Sequence, residues 1–288
     1  MRKIQYFLIG LILPIALYGQ ISFLIIGDWG RKGKFHQREV AVQMEKVAAQ
    51  YHCNFVISTG DNFYSKGVKS VHDAHWQKSF EQVYAAPSLN IPWYSVLGNH
   101  DYRGNIQAQI DYSRKSDRWY MPARYYSLTK HVDSVTTALF VFLDTNELLH
   151  PQKGQDARRQ WKWLEDVLSH SSARWKFVVG HHPVYSGSPM HGDNPELIRH
   201  LRPLLEKYGV QVYFCGHDHD LQYLKPPGRV HYIVSGAGSQ LRETGREQWT
   251  RFSASRNGFV LALLKADLLE IQFIDLHGQV LYRAEISP

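Results

Sequence analysis

At 288 residues, with 44% hydrophobic and 20% charged side chains, the chain is long enough to bury a sizeable core without covalent staples. Two Cys, 21 Gly and 12 Pro, with no repeat, exclude a disulfide framework, a collagen-like chain and a low-complexity one. The net charge of +7 is scattered rather than gathered into a stripe, which argues against nucleic-acid binding, whereas 16 His point to metal or acid–base chemistry.

Met1-Arg2-Lys3 is a basic start, and the apolar run from Ile4 to Tyr18 is broken only by Gln5, Gly10 and Pro14. A membrane helix needs about 20 apolar residues. This segment is shorter and fits a secretory signal over residues 1–20, with a retained anchor as the alternative. Export to a periplasm or out of the cell follows. No later segment is long and apolar enough to span a bilayer, and no linker or composition shift divides residues 21–288, which read as a single domain.

Beyond the signal, short β-branched runs end repeatedly in Gly plus a polar residue: Phe23–Gly27, Phe55–Gly60, Tyr94–Gly98, Phe177–Gly180 and Val212–Gly216. Helical periodicity fills the intervals at His36–Gln50, His72–Tyr84, Asp156–His170 and Pro195–Tyr208. Ala138–Asp144 is a further strand. From Arg229 the pattern is all strand: Val230–Ser235, Phe259–Leu264, Leu269–Ile274 and Val280–Ala284. Alternation of this kind predicts an α/β fold with a parallel-dominated sheet and ligands at the carboxyl ends of its strands. Cys53 precedes one strand and Cys215 closes another. Opposite ends of a parallel sheet lie a strand length of roughly 17–20 Å apart, so two buried free thiols are expected.

The strand ends carry the chemistry. They read Gly27-Asp28-Trp29-Gly30, Gly60-Asp61-Asn62-Phe63-Tyr64, Gly98-Asn99-His100-Asp101, Gly180-His181-His182 and Gly216-His217-Asp218-His219-Asp220. One Gly-Asp turn means little, but five successive strands ending in a metal-binding residue type are hard to explain as ordinary loops. Two Asp, one Tyr, one Asn and three His exceed the needs of one tetrahedral zinc ion and suit two ions sharing a bridging carboxylate.

The set Asp28, Asp61, Tyr64, Asn99-His100, His181 and His217-x-His219 resembles the purple acid phosphatases, in particular the small mammalian-type (tartrate-resistant) members of the calcineurin-like metallophosphoesterases. Other metallophosphoesterases carry Asp-x-His in the first motif. This chain has Asp28-Trp29-Gly30 and instead supplies Tyr64, a correlated exchange. The resemblance implies a four-layer α/β/β/α sandwich. It implies Fe(III) held by Asp28, Tyr64, His219 and bridging Asp61, and a divalent ion (Fe, Zn or Mn) held by Asp61, Asn99, His181 and His217. It further implies an acid phosphatase hydrolysing phosphomonoesters by attack of metal-bound hydroxide, with His100 and His191 binding phosphate and assisting the leaving alcohol. Summing the charges of such a site leaves roughly +1 to meet an anion.

Around this set, Asp101 and Asp220 are expected to orient imidazoles, Asp218 to be a turn residue, and His182 either to support the neighbouring ligands from behind or simply to pack. Small phosphate esters are the expected partners and a monomer the expected state. Mammalian relatives have a longer loop and a disulfide after the Leu-Asp-Thr strand, which this chain lacks, so regulation by loop cleavage is not carried over. Two other readings share the metal core: a phosphodiesterase or nucleotide pyrophosphatase, and a non-catalytic iron- or phosphate-binding protein.

Overall fold

The structure, a computed structural model, describes residues 19–288; the signal segment proposed for residues 1–20 lies almost wholly outside them. The strands form two seven-stranded sheets. The first contains β1 (Gln20–Ile26), β2 (Phe55–Ser58), β3 (Trp93–Ser95), β4 (Trp119–Tyr120), β12 (Gly258–Lys265), β13 (Leu269–Asp275) and β14 (Val280–Ile286), in the order β14-β13-β12-β1-β2-β3-β4. The second contains β5 (Tyr126–His131), β6 (Thr137–Phe142), β7 (Trp175–Val179), β8 (Val212–Cys215), β9 (Leu221–Leu224), β10 (His231–Ser235) and β11 (Thr250–Ala254), in the order β11-β9-β10-β8-β7-β6-β5.

Each sheet contains a run of four parallel strands: β1-β2-β3-β4 in the first, reaching its edge at β4 and flanked on the other side by antiparallel strands, and β6-β7-β8-β10 in the second, flanked on both sides by antiparallel ones. Two mixed sheets thus replace the parallel-dominated sheet that alternation alone suggested, and they are the paired sheets of the four-layer sandwich that the resemblance implied. The alternation along β6 shows why two layers form. Ala138, Phe140 and Phe142 face the first sheet, where Phe140 packs edge-on to Phe23 at 5.5 Å, while Leu139, Val141 and Leu143 face the other way. A strand apolar on both faces is stable only between two covers.

The outer covers are helices. Val40, Met44 and Val47 of α1 (Gln37–Tyr51) join the core that also fills the space between the sheets. Leu164 and Leu168 of α4 (Ala157–Ser169) and Leu197, Leu201 and Leu205 of α5 (Pro195–Lys207) cover the far side of the second sheet. Each buried leucine contributes about 1.5–3 kcal/mol. Asp156 and Asn194 cap the starts of α4 and α5 by accepting from the N–H of Arg158 and Leu197. The layers thus run helix, sheet, sheet, helix.

Two short helices, α2 (Ile106–Tyr112) and α3 (Thr145–Leu149), complete the set. The helix expected over His72–Tyr84 reduces to one π-helical turn, Trp76–Glu81. There Trp76 stacks on Tyr112 at 3.5 Å, and Phe80 packs against Trp93, so aromatic packing overrides the helical pattern. Cys53 and Cys215 are both buried and free. The stated reason needs correcting, because they belong to different sheets: Cys53 precedes β2 and Cys215 ends β8.

Candidate metal centre

Loops leaving the carboxyl ends of the central strands of both sheets meet above the core. They bring Asp28 (after β1), Asp61 and Tyr64 (after β2), Asn99 (after β3), His181 (after β7), and His217 and His219 (after β8) into one cluster. The Tyr64 hydroxyl is its hub, 2.7 Å from Asp28 Oδ1, 2.8 Å from Asp61 Oδ2 and 3.0 Å from His219 Nε2. Beside it, Asn99 Oδ1 lies 3.1 Å from both His181 Nε2 and His217 Nδ1, and those two nitrogens are 3.2 Å apart. Asp61 joins the groups, since its Oδ1 is 3.6 Å from His181 Nε2.

Backbone geometry explains why these residues converge. Asp28, Asp61 and His217 all have left-handed backbone, with φ of 60°, 48° and 70°. Such conformations cost of order 1–3 kcal/mol each in non-glycine residues and persist where the surroundings demand them. The turns are pinned by the carboxylates themselves: His217 N–H donates to Asp28 Oδ2 (2.9 Å), and His100 N–H donates to Asp61 Oδ1 (2.7 Å). A Cβ on Gly98 would overlap the Asp61 carboxylate, so only glycine lets that strand end approach. Gly30 shows how the correlated exchange in the first two motifs arises. A side chain there would collide with the Asn62 carbonyl, and the Gly30 carbonyl accepts the Tyr64 N–H at 2.9 Å. Removing the side chain at 30 opens the space through which the Tyr64 loop enters.

The imidazoles are oriented from behind. His181 Nδ1–H donates to the Thr59 carbonyl (2.9 Å) and His219 Nδ1–H to the Gln240 carbonyl (2.7 Å), so each Nε2 lone pair points into the cluster. Carbonyls only accept, which fixes the tautomers, and this is the arrangement of metal-ligating histidines. Beneath the site Trp29 is fully buried, donating to Ser58 Oγ at 2.8 Å and packing among Phe63, Tyr84 and Trp93.

The electrostatics fit cations. Asp28 and Asp61 are buried, and among the described residues no Lys or Arg forms an ion pair with either. Burial, and then the neighbouring Asp61, push the Asp28 carboxyl well above the usual carboxylate range. Burial, and then the same carboxylates, raise the Tyr64 phenol well above 10. Desolvation pushes His219 down to about 3 and His217 well below its ordinary value. Buried acids that hold protons and buried imidazoles that refuse them are what a metal ion reverses. Two sets of three ligand groups, Asp28–Asp61–His181 and His181–His182–His217, have donor atoms within 4.8 Å of one another. Oxygen-rich anionic donors on one side and imidazole plus amide on the other suit two ions of unlike charge.

The expected phosphate-binding histidines flank the cluster. His100 donates from Nδ1 to the Ser65 carbonyl (2.8 Å), and its Nε2 is 4.0 Å from Asp61 Oδ2. His191 lies on the opposite side, its ring 4.1 Å from that of His217. Three expectations about neighbouring residues are corrected. Asp101 orients no imidazole; it accepts from the backbone N–H of Asn62, Phe63 and Gly98, tying two site loops together. Asp220 accepts from Gln222 rather than from a histidine. Asp218, read as a turn residue, is the carboxylate that holds an imidazole: it contacts His191 Nδ1 at 2.5 Å and accepts from Ser186. Nothing in the spacing of His191 and Asp218, 27 residues apart, signals that pair. His182 packs against His217 at 4.6 Å with its Nδ1 against the Thr145 hydroxyl (2.9 Å), in keeping with a packing role.

Comparison with known proteins agrees with this geometry. The signature of the calcineurin-like phosphoesterase family matches residues 21–221. Purple acid phosphatase 3 of Arabidopsis thaliana is 38% identical over 290 residues, covering 94% of this chain and 79% of the relative. Tartrate-resistant acid phosphatase type 5 of Oryctolagus cuniculus is 36% identical over 295 residues, covering 92% and 90%. Among solved structures, GAP50, the anchor in the inner membrane complex of Plasmodium, superposes with a TM-score of 0.84 at 27% identity, covering 93% of this chain and 89% of that one. The chain belongs to the purple acid phosphatases, metal-dependent hydrolases of the calcineurin-like phosphoesterase superfamily.

Proposed function

We propose that this protein is an exported acid phosphatase that hydrolyses phosphomonoesters at a dinuclear centre, with Fe(III) in the Tyr64 half and a divalent ion (Fe, Zn or Mn) in the Asn99 half. The observation that carries the reading is the Tyr64 hydroxyl set among Asp28, Asp61 and His219, a hard anionic donor set once deprotonated. Asp28, Tyr64 and His219 would hold the trivalent ion, Asn99, His181 and His217 the divalent one, and Asp61 would bridge them. When bound, such a pair supplies Lewis acidity towards phosphate oxygens and makes water acidic enough to serve as a nucleophile below neutrality.

The chain's own side chains then divide the remaining work. His100, beside Asp61, binds a phosphate oxygen when protonated. Burial holds its pKa below the ordinary value, so the substrate's negative charge is what favours its proton. His191 is placed to donate the proton. Asp218 accepts from its Nδ1–H and fixes the ring, leaving Nε2–H to face the departing alcohol oxygen. The His191 side chain is 28% exposed, open enough to meet a substrate.

Metal analysis with a visible spectrum and paired kinetics on aryl mono- and diesters tests the reading. Purple colour, one iron and one further ion per chain, and preference for the monoester are expected. Iron bound without colour, or a strong diester preference, overturns it. Export is checked by N-terminal sequencing of secreted protein, which should begin near Gln20 or Ile21. Among the described residues no helix is long and apolar enough to cross a membrane.

A further inference from the structure

We propose that a basic recess beside the metal cluster is a second anion subsite, and that it selects phosphomonoesters carrying a second, non-scissile phosphate. The inference rests on the phosphatase reading above and narrows its substrate class.

The recess has a volume of about 540 Å³ and is walled by Lys32, Ser65, Lys66, Lys69, Asp73 and His75, together with Tyr64. Tyr64 is thus shared between the recess and the cluster. Ser65 is the other link, since its carbonyl accepts from His100 Nδ1 at 2.8 Å. A phosphate held near His100 therefore lies at the edge of this recess, on the side away from His191.

Its lining is mostly of one sign. Three exposed lysines and one aspartate contribute to it, and Asp73 is already engaged by the backbone N–H groups of Lys69 (2.8 Å) and His75 (2.9 Å). None of the three lysines is ion-paired; among the described residues the only lysine–carboxylate pair is Lys207–Glu165. Unpaired like charges around a concavity repel one another and are relieved by an anion. His75, only 6% exposed, closes the inner wall of the recess.

The backbone around these lysines is anchored. Lys32 N–H donates to Ser79 Oγ (2.8 Å), Gly67 N–H to the Phe63 carbonyl (2.9 Å), and the Val68 carbonyl accepts from Asn105 N–H (2.7 Å). The backbone that carries the charges is therefore fixed to the same loop that presents Tyr64. A second phosphate, tethered to the scissile one by a short carbon chain, meets the recess without a further translational cost. A substrate with one phosphate leaves it to water.

The test compares fructose 1,6-bisphosphate with fructose 6-phosphate on the metal-loaded enzyme. In the wild type, kcat/KM for the bisphosphate should be roughly 10-fold higher, mainly through KM, and the advantage should shrink as NaCl is raised. In K66A/K69A the advantage should vanish, while kcat/KM for fructose 6-phosphate stays within about twofold, because exposed charges away from the chemistry contribute little to it. K66R/K69R should keep the advantage, which separates charge from loop structure. Equal kcat/KM for the two sugars in the wild type, or a preference that survives K66A/K69A, overturns the subsite. Wild-type enzyme that hydrolyses fructose 6-phosphate without preferring the bisphosphate removes only this inference, whereas metal-loaded enzyme that hydrolyses neither removes the phosphatase reading as well.

Discussion

The two halves of the cluster are built from opposite materials. In one, Asp28, Tyr64 and His219 are all buried, and two of the three donors are acids driven to hold their protons. In the other, Asn99 and His217 are partly exposed, and no donor besides the shared Asp61 carries a negative charge. The deep half offers charge and demands deprotonation; the shallow half offers neutral lone pairs and an opening to solvent. On the reading proposed above, a trivalent ion would take the first and a more exchangeable divalent ion the second. Similar loop ends of the two sheets thus produce unlike sites because of which acids are desolvated.

The largest effect should come from removing what the halves share. Asp61 reaches Tyr64 with one oxygen, while the other accepts from His100 N–H and approaches His181. Asp61→Asn should leave less than one tightly bound ion per chain by elemental analysis and lower kcat/KM by on the order of 10³-fold. A variant that keeps both ions would show that the halves assemble independently.

Proton release sharpens the same contrast. With Tyr64 and Asp28 raised well above their ordinary values, the metal-free deep half holds protons that a cation must displace. Its affinity should therefore rise with pH, by about one log unit per pH unit for each proton released. Tyr64→Phe should lower that slope by about one proton, while Asn99→Ala should leave it unchanged and weaken only the divalent ion. Competition against a ferric chelator across a pH series measures both. Equal slopes for wild type and Tyr64→Phe would mean that the phenol is not deprotonated on loading.

The site was far more legible in the sequence than its supports. Gly-then-ligand at five strand ends is a local pattern, and a rigid strand determines where the next side chain goes. The doubling of the sheet was legible only through the family resemblance of the site motifs; strand–helix alternation did not carry it, because β4 and β9 are only two and four residues long and hold too little pattern. The role of Asp218 was hidden for a different reason. Its partner His191 comes from the loop after β7, so the pair exists only once two chain segments have met. The swapped roles of Asp101 and Asp218 make the same point: carboxylates adjacent to ligands look alike in sequence, and only the fold decides whether backbone or imidazole receives them.

The smallest expected effect is spectroscopic and concerns the deep half alone. The Arg31 guanidinium lies over the Tyr64 ring, 3.7 Å from its centroid, with Phe35 at 5.4 Å on its other flank. Arg31 Nε is buried without a hydrogen-bond partner, so stacking is what holds the group there. A cation over a phenolate face lowers the energy of the filled π orbital, which widens its gap to an empty orbital on a bound ferric ion. Arg31→Met keeps an apolar stem and removes the charge, so the visible band should move to longer wavelength, by on the order of tens of nanometres. Arg31→Lys should give a smaller shift, because an ammonium prefers its hydration to a ring face. The shift needs no turnover to be seen, and it separates the halves cleanly: the same band should stay put when Asn99 is changed, since the neutral half touches the phenolate only through Asp61.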